Sequence, residues 1–582
     1  MSRNAEVAAV LEEYADLMEA EGDEYRPSVY RRAADNVRDY PSAIEDLAAE
    51  GPAAVEEIDG VGEGIAEHVV DYLESGTFEE LEAARADLPV EMGALTSVEG
   101  VGPKTVRKLH DALDVRTLDD LERAAEEGRI REVKGFGEKT ERNIADHVAF
   151  AREARERELL GNARPLAADV VERLESHEDA ETVDVAGSLR RWRETIGDVD
   201  VLVASDAGEA VGRHLADWDR VHDVIETGET KTSVRVGGTR VDLRVVAPGE
   251  FGAALQYFTG SKAHNVTLRN HAIEQGKKVN EYGVFDVSEV DSDAGQRVGD
   301  LLASETEEAV YDALGLPLIP PELREDRGEI DAALAGDLPA LLVEDDVRGD
   351  LHVHTDWSDG GHTVAEMVAG AAEFGHDYVC ISDHAAGPGV FGDSGLSDAD
   401  LREQMDAVAD VRDDADIDVL HGVEANVDAD GDVGDVSDDV LADLDVVVAS
   451  PHSGLGDDGG DQTDRLVAAV EHPHVDVLGH PSGRLLNQRP AMDFDPADLA
   501  RAAADAGTAL EVNANYHRLD LWGSAVQAAV DAGATIAVDT DAHAPGEYAQ
   551  LTYGVHTARR GWAEADDVLN TRDADGVRDF CE

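Results

Sequence analysis

Three rhythms of apolar positions succeed one another along the 582-residue chain. Up to about residue 177 apolar residues recur at helical spacing, broken by glycine-rich turns, and predict a run of amphipathic helices. From Val183 the pattern shifts to short β-rich runs bounded by Gly and polar clusters. Beyond residue 346, apolar segments at 350–353, 378–382, 419–423, 446–450, 475–479, 508–513 and 534–539 alternate with helical patterns, which predicts a seven-stranded β/α barrel. A Pro-containing acidic stretch at 317–346 predicts a linker with some helix. A chain of this length exceeds one hydrophobic core, so the expected class is multidomain, α+β followed by α/β.

Three segments of the helical part share one pattern: Ile58-Asp-Gly60-Val-Gly62-Glu-Gly-Ile, Val98-Glu-Gly100-Val-Gly102-Pro-Lys104-Thr and Val133-Lys-Gly135-Phe-Gly137-Glu-Lys139-Thr. A tight Gly-x-Gly turn ahead of a helix brings free backbone N–H groups close to a phosphate, at the favourable end of the helix dipole. One copy reads equally well as a glycine turn between packed helices. Three copies, with Lys104 and Lys139 just after their turns, point to DNA-backbone binding. They resemble helix-hairpin-helix motifs, which helicases and nucleases also carry; they identify the partner and not the reaction.

In the β-rich region, Asp198 and Asp200 alternate along a strand and so share a face, and Arg240-Val-Asp242 offers a third carboxylate on another strand. In so acidic a chain this also reads as a solvated strand. As a site, the three carboxylates would be compensated by two Mg²⁺ ions bridging a nucleoside triphosphate and a primer 3′-hydroxyl, with Gly187, Ser188 and Arg191 holding the triphosphate. The neighbouring residues favour the site. The region resembles the nucleotidyltransferase palm of family X DNA polymerases, and Tyr257-Phe-Thr-Gly260-Ser-Lys-Ala-His-Asn265-Val-Thr-Leu-Arg269 with Val279-Asn-Glu-Tyr-Gly-Val-Phe285 resembles that family's thumb.

The resemblance implies metal binding by Asp198, Asp200 and Asp242, contacts to the nucleotide by Gly187, Ser188, Arg191, Gly197, Tyr257, Phe258, Gly260 and Asn265, and a template-side role for Arg269. It divides the chain into an N-terminal helical domain (1–90), a fingers-like region (91–160), palm (161–248), thumb (249–320), linker (321–346) and barrel (347–575). Family members that remove a 5′-deoxyribose phosphate use a Schiff-base lysine, and the matching position here is His68. Imidazole forms no imine, so the N-terminal domain is expected to bind DNA without lyase activity.

Metal-type residues stand at the ends of six barrel runs: His352 and His354 with Asp359 in the next loop, His384, Glu424, His452, His480, and Asp541 with His543. His-x-His and Asp-x-His place two ligands on one face of a strand, and barrel sites gather where strands end. A lone histidine would be structural more often than not; nine such groups at one rim are not explained by packing. With Asp350-Leu-His-Val-His and Asp539-Thr-Asp-Ala-His, the segment resembles the polymerase and histidinol phosphatase (PHP) domain, a distorted (β/α)7 barrel. That resemblance implies up to three ions, Mn²⁺ or Zn²⁺, supporting attack of hydroxide on phosphorus. Family X polymerases fused to this barrel imply 3′–5′ exonuclease, abasic-site endonuclease or 3′-phosphatase activity.

Charge complicates this reading. Asp and Glu number 128 against 49 Lys and Arg, a formal net charge of −79 that repels nucleic acid in dilute buffer. Acidic residues spread through regular apolar patterns fit a folded protein adapted to high salt better than a disordered one. All eight lysines fall between residues 104 and 278, in the polymerase half. Two cysteines support no disulfide framework and suit a reducing cytoplasm. No long apolar run predicts a membrane span or signal peptide. The expected partners are gapped or nicked DNA and dNTPs, with the chain a monomer. Against the reading of a gap-filling polymerase with end-processing activity stand a small-metabolite phosphoesterase tethered to DNA and a non-catalytic scaffold.

Overall fold

The computed structural model describes residues 3–23, 25–38, 40, 44–56, 58, 60–98, 100–155, 157–290, 295–387, 395–433, 436–455 and 460–581; Asp59 and Glu99, inside the first two glycine repeats, lie outside them. The chain forms two compact units. One combines Met1–His177 with Thr195–Val199 and Glu209–Leu243, the other Glu178–Glu194 with Asp200–Gly208 and Arg244–Glu582.

The first unit is built on the helix Arg3–Glu21, which is apolar on two faces. Val7, Ala8 and Leu11 enter a core with Val37, Ile58, Ile65 and Val69. Val10, Tyr14, Leu17 and Met18 enter a second core with Leu81, Leu88, Leu95, Leu109, Leu121 and Val148. The second core joins Leu81 and Leu88 to Leu95 and Leu109, so no break in packing falls at residue 90, where the sequence suggests a division. Helix ends follow local chemistry: Gly76 closes Glu63–Ser75 at φ 78, and Thr117 and Asp120 form a capping box at Leu118–Glu126.

The stretch 182–246 carries five strands: in the first unit Val221–Thr227 pairs antiparallel with Lys231–Val236, ahead of Thr239–Val246, and in the second Thr182–Val185 pairs antiparallel with Val199–Ala204. In the second unit the helices Phe251–Thr259 and Lys262–Glu274 pack on a three-stranded antiparallel sheet formed by Lys277–Asn280, Gly283–Asp286 and Asp300–Ala303.

The expected linker is partly helical, but it is not a free connection. Leu323, Ile330 and Ala333 enter one core with Leu268, Val284, Val310 and Tyr311. Polar anchors account for the packing: fully buried Arg324 reaches Glu307 at 2.6 Å, and Glu329 lies 2.6 Å from His264 Nδ1. Glu307 also receives both terminal nitrogens of Arg190, at 3.0 and 2.7 Å.

The barrel has seven parallel strands in sequential order, Gly349–Asp350, Tyr378–Ile381, Asp418–Asn426, Val446–Ser450, Val477–Leu478, Ala509–Asn513 and Ile536–Asp539. Val353 bridges Ala542, and His354 N donates to Ala542 O at 2.9 Å, so the last strand returns to the first. Alternation sorts the strand residues. Val423, Val447, Leu510 and Val538 pack in an outer layer that includes helix residues Leu499, Val526 and Val555. Leu420, Val446, Val477, Ala509 and Ala537 pack in another cluster with Val577 of the C-terminal helix Ala574–Cys581. That cluster fills one end of the interior and leaves the other to polar groups.

Glu307→Ala is expected to destabilise the second unit by roughly 3–5 kcal/mol, because Arg324 keeps its burial and loses its counter-charge. Urea unfolding in molar KCl measures this. A loss under about 1 kcal/mol, the size typical of exposed pairs, would contradict it.

Candidate active sites

Nine side chains converge at the open end of the barrel. Glu424 lies in the third strand and is fully buried. Its Oε1 sits 3.0 Å from His480 Nε2, 3.1 Å from His452 Nε2 and 3.3 Å from His352 Nε2. Its Oε2 sits 2.6 Å from His384 Nδ1 and 3.6 Å from His354 Nε2. Asp541 approaches His354 Nε2 at 3.1 Å and His352 Nε2 at 3.7 Å. Asp359 lies 3.4 Å from both His384 Nε2 and His543 Nε2. Ligand-type atoms gather in three overlapping groups: His354, Asp359, His384 and His543; His352, His354 and Glu424; and His384, Glu424 and His452. Asp541 and His480 border these groups through the contacts above.

Burial would raise Glu424, but the charges of His384, His452 and His352 hold it well below the usual carboxylate range. Burial opposes protonation of His384, yet Glu424 and Asp359 push it up to about 10. Burial, with His543 and His384 beside it, takes His354 down to about 4. His352 Nε2, both nitrogens of His354, His384 Nδ1, His480 Nδ1 and Glu424 Oε2 are buried and meet no aligned hydrogen-bond partner. Buried polar atoms in native folds are normally satisfied. Six imidazoles and three carboxylates, with orphaned buried atoms on His352, His354, His384, His480 and Glu424, fit divalent ions that take mixed N and O donors.

A surrounding layer fixes these side chains. Glu511 Oε1 lies 2.6 Å from His352 Nδ1, and its other oxygen accepts from His480 N. Asn426 Oδ1 lies 2.8 Å from His452 Nδ1, and Asn513 Nδ2 donates to Asp541 at 3.1 Å. Asp383 accepts from Thr355 N at 2.7 Å and from Thr355 Oγ1 at 2.6 Å. Sequence reading passed over these groups. A signal was present for two of them: Asn426 is two residues past Glu424 and Glu511 two before Asn513, all on inward positions.

The second cluster is made only of oxygens. Asp198 and Asp242 bring carboxylate oxygens within 4.8 Å of one another, and Asp200 follows Asp198 by two residues along the chain. Burial and neighbouring Asp242 raise the Asp198 carboxyl. Burial also works to raise Asp242, but Arg240, bonded at 2.8 and 3.0 Å, outweighs it and lowers the group. Lys231 stands 3.6 Å away. Such a donor set fits Mg²⁺.

Gly187, at φ 61, packs on Asp200: a Cβ there would fall 2.1 Å from Oδ2. Ser188 follows in the short helix Gly187–Arg190, and Gly197 lies in the turn before Val199–Ala204. Arg191, expected at the triphosphate, is committed elsewhere. Its Nε donates to Glu325 at 3.0 Å and its Nη1 to the Thr259 carbonyl at 2.6 Å. The guanidinium therefore ties Gly187–Glu194 to the turn after Tyr257. In that turn Asn265 donates to the Tyr257 carbonyl at 2.7 Å, and a Cβ on Gly260 would lie 2.7 Å from Asn265 Oδ1. Tyr257 and Phe258 meet edge-on at 5.2 Å. Arg269 and Tyr257 line a cavity of about 560 Å³ with Lys277, Lys278, Asn280 and Gln296.

The three glycine repeats make one turn three times. Val61, Val101 and Phe136 donate to the carbonyls three residues back, at 3.1, 2.9 and 3.1 Å. Gly60, Gly100 and Gly135 adopt φ 69, 78 and 102, and Gly62 and Gly102 cap the helices that follow. A Cβ at Gly62, Gly100, Gly102, Gly135 or Gly137 would meet nothing within 4 Å, and Lys104 and Lys139 are exposed. The turns are thus open to a partner. His68 is enclosed: it stacks on Phe78 at 4.2 Å, Tyr30 OH lies 3.0 Å from Nδ1, and Glu80 lies 3.3 Å from Nε2.

Comparisons with known proteins agree with this layout. Family models match residues 2–78 (Helix-hairpin-helix domain), 92–149 (SAM-like Helix-hairpin-helix tandem), 254–325 (DNA polymerase beta thumb) and 350–515 (PHP domain). The chain is 33% identical over 580 residues to "DNA polymerase/3′-5′ exonuclease PolX" of Bacillus subtilis (strain 168), covering 99% of this chain and 98% of that protein. It is 26% identical over 347 residues to DNA polymerase lambda of Rattus norvegicus, covering 55% of this chain and 56% of that one. "Probable phosphatase Teth514_1060" of Thermoanaerobacter sp. (strain X514) is 28% identical over 241 residues, 38% of this chain and 89% of the phosphatase.

Glu511→Ala is expected to weaken divalent-metal binding at the barrel about 10- to 100-fold, since His352 would lose the acceptor that orients its ring. Calorimetric Mn²⁺ titration checks this. Unchanged affinity would mean that Glu511 does not orient a ligand.

Proposed function

This chain belongs to the PolX family, the family X DNA polymerases that carry a PHP domain, and on that premise we propose that it fills short gaps in DNA and trims or cleans the DNA ends. The carrying observation is that one chain holds two separate clusters with different donors: oxygens alone at Asp198, Asp200 and Asp242, and imidazoles with carboxylates in the barrel.

At the first cluster the three aspartates would hold Mg²⁺, which would supply positive charge to ease deprotonation of a primer 3′-hydroxyl and to stabilise departing pyrophosphate. Arg240 and Lys231 keep Asp242 ionised and ready as a ligand. Gly187 and Ser188 face the triphosphate, Tyr257, Phe258, Gly260 and Asn265 the incoming nucleotide, and Arg269 the template. Gly197 completes the turn before Asp198, and Arg191 serves as the tie between the two nucleotide segments. At the barrel, His352, His354, Asp359, His384, Glu424, His452, His480, Asp541 and His543 would hold up to three Mn²⁺ or Zn²⁺ ions, which would supply the chemistry for phosphoester hydrolysis. The activity class is 3′–5′ exonuclease, abasic-site endonuclease or 3′-phosphatase.

DNA is held through backbone N–H groups at the hairpin turns Gly60–Gly62, Gly100–Gly102 and Gly135–Gly137, with Lys104 and Lys139 beside the last two. Contacts of this kind suit a chain of net charge −79 working in strong salt, where counterion release contributes little. The protein acts as a cytoplasmic monomer. With histidine at position 68 and both its nitrogens occupied, no borohydride-trappable DNA adduct is expected from the N-terminal domain.

Labelled one-nucleotide-gap DNA in molar KCl, with Mn²⁺ and with or without dNTPs, tests the assignment. Asp198→Ala/Asp200→Ala is expected to lose extension by roughly 100-fold or more and keep trimming; His352→Ala/His354→Ala is expected to do the reverse. A wild type that neither extends nor trims, yet hydrolyses a small phosphomonoester, would replace this function with a metabolite phosphatase.

A further inference from the structure

The segment Gly187–Glu194 has little of its own to fix it. It forms a single helical turn, Gly187–Arg190, and contains three arginines, Arg190, Arg191 and Arg193. Trp192 sits at φ 55, a left-handed conformation that a residue with a side chain keeps only when its surroundings hold it.

Part of that support comes from the far end of the chain. The Trp192 ring lies flat on His556 of the barrel helix Leu551–Arg560, with centroids 3.4 Å apart and planes 6° from parallel. Tyr553, one turn earlier, approaches the indole edge-on at 6.3 Å. Arg560, only 5% exposed, donates from Nη1 to the Arg191 carbonyl at 2.8 Å. It also reaches Glu325 at 3.3 Å, the same oxygen that accepts from Arg191 Nε. Glu322 secures the helix, 2.8 Å from both His556 Nδ1 and Arg559 Nε. Burial alone would raise Glu322, but His556 and Arg559 bring it down to about 2. At the segment's other face, Ala186 N donates to Asp200 O at 2.8 Å and Gly187 packs on the Asp200 carboxylate.

We infer that His556 and Arg560 of the barrel are positioning residues for nucleotidyl transfer: through Trp192 and the Arg191 carbonyl they hold Gly187 and Ser188 in register against Asp200. The inference rests on the polymerase reading of Gly187 and Ser188 given above. It makes the barrel helix part of the polymerase architecture, independently of the chemistry at the barrel metals. Small displacements of a substrate-positioning element weaken transition-state alignment steeply, so the effect should fall on dNTP use.

The test uses the full chain in molar KCl and compares His556→Gln, which keeps a hydrogen-bonding partner for Glu322 but no ring, His556→Phe, which keeps a ring, and Trp192→Leu. KM and kcat for dNTP on a one-nucleotide gap are measured beside melting temperature, with Mn²⁺-dependent hydrolysis of bis(p-nitrophenyl) phosphate as the barrel readout. His556→Gln and Trp192→Leu are expected to raise KM about tenfold with kcat nearly unchanged, while His556→Phe stays close to wild type and barrel hydrolysis is unaffected in all three. A KM unmoved by both ring-removing variants overturns the inference, as does an equal loss of barrel hydrolysis, which would mean general unfolding. Ser188→Ala separates the two levels. If it raises KM and the ring variants do not, only the positioning role falls. If it too leaves KM unmoved while extension persists, the nucleotide role of the segment fails, and this inference with it.

Discussion

A carboxylate buried among five imidazoles is the constraint on which the barrel depends. Glu424 has no exposure, and nitrogens of His352, His354, His384, His452 and His480 lie within 3.6 Å of it. Removing such groups from water is costly unless charge is matched and lone pairs are used. Strand alternation makes the arrangement possible: Leu420 and Glu424 both belong to the inward-facing set of one strand, the first in the apolar cluster with the C-terminal helix and the second at the ligand cluster. Close backbone contact is needed between them, since a Cβ on Gly422 would fall 2.5 Å from Val446 O. A divalent cation would satisfy the buried atoms that the side chains leave open, and Glu511, Asn426 and Asn513 hold His352, His452 and Asp541 in place.

Charge shapes the rest of the molecule differently. With 49 cationic side chains against 128 carboxylates, most arginines are engaged in ion pairs: Arg324 and Arg190 with Glu307, Arg191 and Arg560 with Glu325, Arg559 with Glu322. Buried pairs of this kind fix geometry more than they stabilise it. Lys104 and Lys139 remain exposed beside hairpin turns, and Lys277 and Lys278 line the cavity shared by Arg269 and Tyr257.

The barrel was legible in the sequence because its strands are local apolar runs, and so were the His, Asp and Glu residues that lie in or soon after those runs and that the fold gathers at one end. The hairpins were legible for the same reason, since a left-handed Gly before a helix is written in three consecutive residues. What escaped depends on contacts between distant parts of the chain. The stretch 317–346 reads as a linker with some helix from its acidity and prolines, whereas Leu323 and Ile330 are in fact committed to a core with Leu268 and Val310. Arg191 read as a phosphate ligand, but its partners, Thr259 and Glu325, lie 68 and 134 residues away. The Arg560 bond to Arg191 spans 369 residues, and no periodicity reports on it. Glu511 lies within an apolar strand run, and only the fold brings it against His352.

Counting metal ions tests the central claim most directly. Wild type and Glu424→Gln, expressed and dialysed in molar KCl, would be analysed by inductively coupled plasma mass spectrometry for manganese, zinc and iron. The account predicts up to about three ions per chain in the wild type and less than about one in the variant, with the fold retained. A wild type that holds no ion yet hydrolyses phosphoesters in excess chelator, or a variant that keeps its full metal content, would contradict it.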